Sequence, residues 1–238
     1  MFKQYLVLLF VMVLGVSKLS AQTDTTAVSV IDSLYKEDQF YLGISYNILN
    51  NMPSKMKQNG FSLGLQGGFI KDMPLNSKRN IALGLGLGYA FNTFNQNMGV
   101  HKSPEGEEIY IVLNEDYDFN YERNNFYLHQ VELPIEFRWR TSTPESYRFW
   151  RIYSGFKFSY VFTNITNFKS PSGNERHVNI DGFNPFQYGL TLSAGYNTWN
   201  FYFYYGLNTL FEDDAKTFIY QRDIDMNVIQ LGLIFYLL

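Results

Sequence analysis

The residues best equipped for chemistry cluster between positions 132 and 157. Glu132, Glu136, Arg138 and Arg140 stand an even number of residues apart, and so do Arg151 and Lys157 in the next alternating segment. Even spacing puts each set on one face of a β-strand. Carboxylates and cations sharing a face can form an ion-pair network, relay protons or hold a polar ligand. A turn centred between Pro144 and Glu145 places Glu132 opposite Lys157, Glu136 opposite Tyr153 and Arg138 opposite Arg151. Facing arginines repel unless a carboxylate sits between them, and Glu136 is the nearest candidate. The expected role is an interior salt-bridge network, with proton relay or ligand binding as the alternative.

Other reactive groups are scattered. His101 and His177 fall in long polar stretches, where solvation is expected. His129 has the apolar parity of its segment, and a surface His paired with a Ser and a carboxylate is a hydrolase arrangement. Ser154 is the one serine of matching parity in the adjoining segment, and it sits near the opposite rim. Glu212, Asp213, Asp214, Asp223 and Asp225 bracket a late loop without the spacing of a calcium-binding loop. The stretch 95–124 carries Glu105, Glu107, Glu108, Glu115, Asp116, Asp118 and Glu122, a candidate contact surface for another envelope component. With no cysteine, thiolate metal sites, disulfides and thiol nucleophiles are excluded. No catalytic set, metal site or cofactor is expected.

These side chains need strands to position them. Of 238 residues, 46% are hydrophobic and 18% aromatic, while only 17% are charged and the net charge is −3. That balance excludes a disordered chain and lacks the basic footprint of a nucleic-acid binder. Apolar residues alternate with small or polar ones in eight segments, 38–49, 59–71, 80–94, 125–141, 148–163, 186–197, 199–211 and 226–238. The third is the cleanest: Ile81, Leu83, Leu85, Leu87, Tyr89 and Phe91 alternate with Ala82, Gly84, Gly86, Gly88 and Ala90. Strict alternation is a strand signal, not a helix signal. Glycine at every second position weakens a strand and makes sense where one face is crowded, as inside a small closed barrel.

The connections set the architecture. The second, fourth and sixth are short, the first is modest, and the third, fifth and seventh are long and polar. Short turns at one end and long loops at the other are the pattern of outer-membrane barrels. The expected fold is all-β, an eight-stranded antiparallel transmembrane up-and-down β-barrel in the cell outer membrane. Trp139, Trp150 and Trp199 all flank short turns, as a periplasmic aromatic girdle in contact with lipid would. A soluble lipocalin-like barrel is the alternative. Against it, the polar face is largely Gly, Ala, Ser and Asn, which suits a narrow lumen, and nothing else in the chain could cover the large apolar face. An eight-stranded interior is just wide enough for side chains to fill. A plug is expected, not a pore.

The first residues read as a targeting segment. Lys3 precedes an apolar run over 5–16, and Ala21 offers a small residue at a cleavage site. The run is too short for a comfortable transmembrane helix. The expected organisation is a signal peptide over 1–21, a periplasmic N-terminal segment over 22–37 and a barrel domain over 38–238.

One stretch carries a family resemblance. ELPIEFRWRTSTPESYRFWRIYSGFKFSYVF, residues 132–162, resembles the corresponding stretch of the PorT family of Bacteroidota outer-membrane barrels. Its most distinctive part runs from Pro134 through Arg151, FRWRTSTP followed by YRFWR. The rest of the chain matches as signal peptide, glycine-alternating strands and total length. Members of that porin-like family, called SprT in gliding relatives, are implicated in type IX secretion across the outer membrane. The resemblance implies a non-enzymatic accessory barrel whose partners are outer-membrane lipid and other type IX components. It supplies no catalytic residues. A structural or adhesive barrel and an outer-membrane lipid enzyme are the alternatives.

Overall fold

Alternation becomes strand wherever the sequence keeps it up. The computed structural model describes residues 38–103, 105–113, 120–141, 149–219 and 221–237. The expected signal peptide and N-terminal segment (1–37), the turn residues Pro144 and Glu145, and Glu115, Asp116 and Asp118 lie outside those residues. The described strands are β1 (Gln39–Asn50), β2 (Leu63–Pro74), β3 (Ile81–Asn95), β4 (Met98–Lys102), β5 (Glu108–Val112), β6 (Arg123–Arg140), β7 (Trp150–Ser170), β8 (Gly173–Val178), β9 (Phe186–Tyr196), β10 (Trp199–Gly206) and β11 (Asn227–Leu237).

Eight of these, β1, β2, β3, β6, β7, β9, β10 and β11, close an antiparallel barrel in which β11 returns to pair with β1. Crossing neighbouring strands from Gln39 through Ile70, Gly86, Pro134, Lys157, Gly189 and Gly206 brings the path back to β1 beside Leu49. That offset means strongly tilted strands, as barrel closure requires. Large apolar side chains such as Leu42, Leu87, Phe137, Phe158, Leu192 and Leu231 point outward and are exposed. So wide an apolar band is a lipid-facing surface.

The structure departs from the sequence expectation in several places. The second strand, expected over 59–71, starts at Leu63 and runs to Pro74. The fifth strand runs on to Ser170 and reverses into β8, so the outer part of β7 pairs with β8 while its inner part pairs with β9. The seventh stops at Gly206, because Leu210 and Phe211 beyond it are buried inside the loops. The stretch 95–124, expected to be a polar loop, holds the β4–β5 hairpin. Met98, Val100, Tyr110 and Val112 are its buried large apolar side chains, a short alternation hidden among acidic neighbours.

The register of β6 on β7 is two residues away from the expected one. Glu132 lies opposite Ser159, Glu136 opposite Gly155, Arg138 opposite Tyr153 and Arg140 opposite Arg151. A shift of two leaves every side chain on its face. Packing favours this register: a Cβ on Gly155 would lie 1.9 Å from the Ile135 carbonyl oxygen, so glycine is what fits beside Glu136.

Candidate functional site

Among the described residues, the lumen is where the fold gathers charged groups away from water. At the short-turn end the interior holds Arg138 and Arg140, both with no exposed side-chain surface. The carboxylate that joins them is Asp72 of β2. Its Oδ1 accepts from Arg138 Nη1 at 3.0 Å and Arg140 Nη1 at 2.7 Å, and its Oδ2 accepts from Arg140 Nη2 at 2.8 Å. Arg140 Nε donates to the Arg79 carbonyl, which the left-handed backbone at Arg79 (φ 54°) turns inward. Arg138 Nε donates to Glu136 and its Nη2 donates to Gln39. The expected bridge of Glu136 between Arg138 and Arg151 is therefore replaced by Asp72 between Arg138 and Arg140, because Arg140 is the residue that lies opposite Arg151.

Asp72 was legible only in part. It lies one residue beyond the segment 59–71, on the parity of Gln66, Gly68 and Ile70. The aromatic side of the network carried no signal in the charge pattern. Arg138 lies 4.4 Å from the ring centroid of Tyr153 and 5.7 Å from that of Tyr236.

Midway along the lumen, Lys157 and Glu132 form an ion pair at 3.1 Å. They meet as diagonal neighbours across β6 and β7, since Lys157 lies directly opposite Pro134. Lys157 Nζ also donates to Gln66 and Tyr202 and lies over the ring of Tyr204. Tyr41 reaches the other oxygen of Glu132 at 2.8 Å. To do so it crosses Gly68 and Gly88, where a Cβ would collide with its ring or hydroxyl. This gives Gly68 of β2 and Gly88 of β3 a cause. Further out, Asn47, Asn92, Gln130 and Gln230 bond to one another. The void left among Asn92, Gln130, Lys157 and Gln230 is about 20 Å³, the size of one water molecule.

Above the network the long loops and the outer ends of β3 and β6 form an apolar cap. Phe126 packs on Phe94, Phe183 and Phe211, and Tyr110 meets Phe211 edge-on. The Tyr110 carbonyl accepts from Phe218 N, and Glu108 accepts from the backbone of Asp181 and Gly182. Burial, and then the Glu108 carboxylate, push the Tyr110 hydroxyl well above its ordinary pKa. Outside the cap, a cleft of about 500 Å³ is lined in part by Glu107, Asp181, Glu212, Asp214 and Lys216. His101 and His177, expected to be solvated, flank Glu175 at 2.7 and 3.5 Å and are about one-fifth exposed.

His129 faces outward, beside a register shift in β6, and bonds the Tyr89 hydroxyl at 2.7 Å among Phe91 and Phe162. Trp139, Trp150 and Trp199 also point outward, all at the short-turn end. Trp150 packs on Tyr196 and Trp199 on Phe235. Together these features make a filled lumen with buried ion pairs in an apolar-coated barrel.

No curated protein matches the sequence. Residues 20–212 match the family model described as outer membrane protein beta-barrel domain. That match spans most of the chain and agrees with the closed eight-stranded barrel, so the protein belongs to the outer membrane protein beta-barrel domain family and resides in the outer membrane.

Proposed function

We propose that this barrel is a non-enzymatic accessory component of type IX protein secretion, acting as a plugged outer-membrane barrel and not as a channel. The observation that carries the reading is where the PorT-like stretch falls. It supplies the inner ends of β6 and β7, and with them Arg138, Arg140 and Arg151 inside and Trp139 and Trp150 outside. The part most similar to the family thus builds the periplasmic end of the lumen. A lumen filled from Arg140 to Gln230 and capped by Phe126, Phe183 and Phe211 favours a scaffold over a conduit.

A clean deletion strain tests this. Mass spectrometry of medium and periplasm should show type IX cargo lost from the medium and retained in the periplasm, with rescue by the intact gene. Unchanged cargo would reject the reading. A structural or adhesive barrel is then favoured by the folded cap and its acidic cleft, and altered surface adhesion in the same strain would mark it. The lipid-enzyme alternative predicts altered lipid A that is lost in His129→Ala. The pairing of His129 with the Tyr89 hydroxyl supports the opposite outcome.

A further inference from the structure

The outer parts of β6 and β7, with β8 added at the edge, carry the barrel wall outward at the long-loop end. The two faces of this ribbon differ. One meets the cap: His101 of β4 lies edge-on to Phe168 and bonds Glu175. The other continues the outward wall. Tyr127 stacks on Phe91, which has the parity of the exposed Leu87 and Tyr89, and residues paired directly across strands share a face.

That outward face is built in three registered rows. Tyr127, Ile165 and Val178 lie side by side in the first. Asn125, Asn167 and Arg176 make the second, and Arg123, Lys169 and Asn174 the third. Successive rows are two residues apart, about 7 Å along the strands. With the tilt of a barrel strand, the cations of the second and third rows stand about 5–10 Å beyond the apolar row. The headgroup layer of a bilayer is about 5–8 Å deep on each side. Arg123 and Arg176 are exposed, and Lys169 is half-exposed in its pair with Glu122. Among the described residues this face sets three cations against one carboxylate, because Glu175 is turned to the cap.

We propose that Arg123, Lys169 and Arg176 form a docking surface for the phosphate-bearing headgroup of an outer-leaflet lipid, whose acyl chains run down past Tyr127, Ile165 and Val178. The order apolar, amide, cation matches the order acyl chain, interface, phosphate along the same direction. The long-loop end is the external one in outer-membrane barrels, which fixes the leaflet. The ligand arrives from the side, since the ribbon face is continuous with the lipid-facing wall and Val178 at its foot is 49% exposed. Cations spread over three strands suit a headgroup with more than one phosphate, and the guanidinium forks of Arg123 and Arg176 can each take two oxygens. The site needs the barrel to sit in the outer membrane and is independent of any role in secretion.

The test folds the full chain in detergent micelles and titrates in lipid A carrying both its phosphates, with dephosphorylated lipid A as the matched probe. Native mass spectrometry reads the fraction of barrels that keep one lipid. The phosphorylated lipid should be retained in preference. Arg123→Gln, Lys169→Gln and Arg176→Gln should each weaken its binding about fivefold, and the triple variant about a hundredfold. Glu122→Gln should tighten it, because Lys169 is released from its pair. Lys78→Gln, which removes an exposed cation from the short turn between β2 and β3, should leave it unchanged. Equal retention of the two lipids, or a triple variant that binds as Lys78→Gln does, would overturn the surface. Displacement of the lipid by an equal concentration of inorganic phosphate would overturn it too, since the ligand would then be the free ion. If the triple variant does not fold, the single variants and Glu122→Gln decide in its place, and unchanged binding across them rejects the site.

Discussion

Changing Asp72 to Asn keeps the shape of the side chain and removes the one charge that two arginines share. Asp72, Arg138 and Arg140 have no exposed side-chain surface, and three N–H groups converge on the carboxylate at 2.7 to 3.0 Å. An asparagine offers one acceptor oxygen and turns an amide donor toward guanidinium donors. Breaking a buried pair in this way costs about 3–5 kcal/mol, because the surviving cations stay buried. In the folding equilibrium that is a loss of about a hundredfold to several-thousand-fold. Urea titration of the full chain in detergent micelles, read by the heat-modified gel mobility of folded barrels, measures it. The control is Glu122→Gln, which removes the half-exposed pair with Lys169 and should cost below about 1 kcal/mol. Adding Arg140→Met to Asp72→Asn should recover part of the loss, since one orphaned charge goes too. If Asp72→Asn shifts the midpoint no more than the control, the short-turn end is not desolvated, and the argument from burial fails.

Other outcomes follow from the same geometry. Gly155→Ala puts a Cβ 1.9 Å from the Ile135 carbonyl and should cost about 1–3 kcal/mol in the same titration; an unchanged midpoint would mean that β6 and β7 can spread freely. Leu133→Arg on the outward face should cost about 2–4 kcal/mol in lipid vesicles, and a neutral result would place Leu133 away from the membrane midplane. A neutral Tyr110 stabilises the cap fully below its ordinary pKa of 10.0, and that contribution fades as pH rises above it, because the unfolded chain releases the proton first. Limited proteolysis of the loops should therefore increase above about pH 10 in the wild type. Tyr110→Phe should lack that component, and identical profiles would refute it.

Much of the barrel was legible because period-two alternation is a local property that closure preserves. β3 begins and ends within one residue of its alternating segment, and β1 and β11 likewise. The interior parity of Glu132, Glu136, Arg138, Arg140, Arg151 and Lys157 was also readable, since a register shift of two cannot change it. Which charge meets which was not readable. Asp72 is 66 positions from Arg138, and the two meet across β3 over Gly84, where a Cβ would lie 3.0 Å from the Arg138 side chain. The cap was hidden for a similar reason. Tyr110, Phe183 and Phe211 come from three connections, each polar on average, and their shared core exists only once the loops are packed. The hairpin β4–β5 is too short for five alternating residues to stand out among glutamates.

The cap also constrains the order of assembly. The segments that build it, including β4, β5 and the loop around Phe211, lie on the far side of the membrane from the short turns. A lumen filled by Arg138, Lys157 and Gln230 leaves them no passage once the wall is complete. The wall is completed only by β1 meeting β11, the first and last strands of the sheet. The loops therefore cross while that seam is open, and the last strand, by closing, acts as the lock on a cap already delivered.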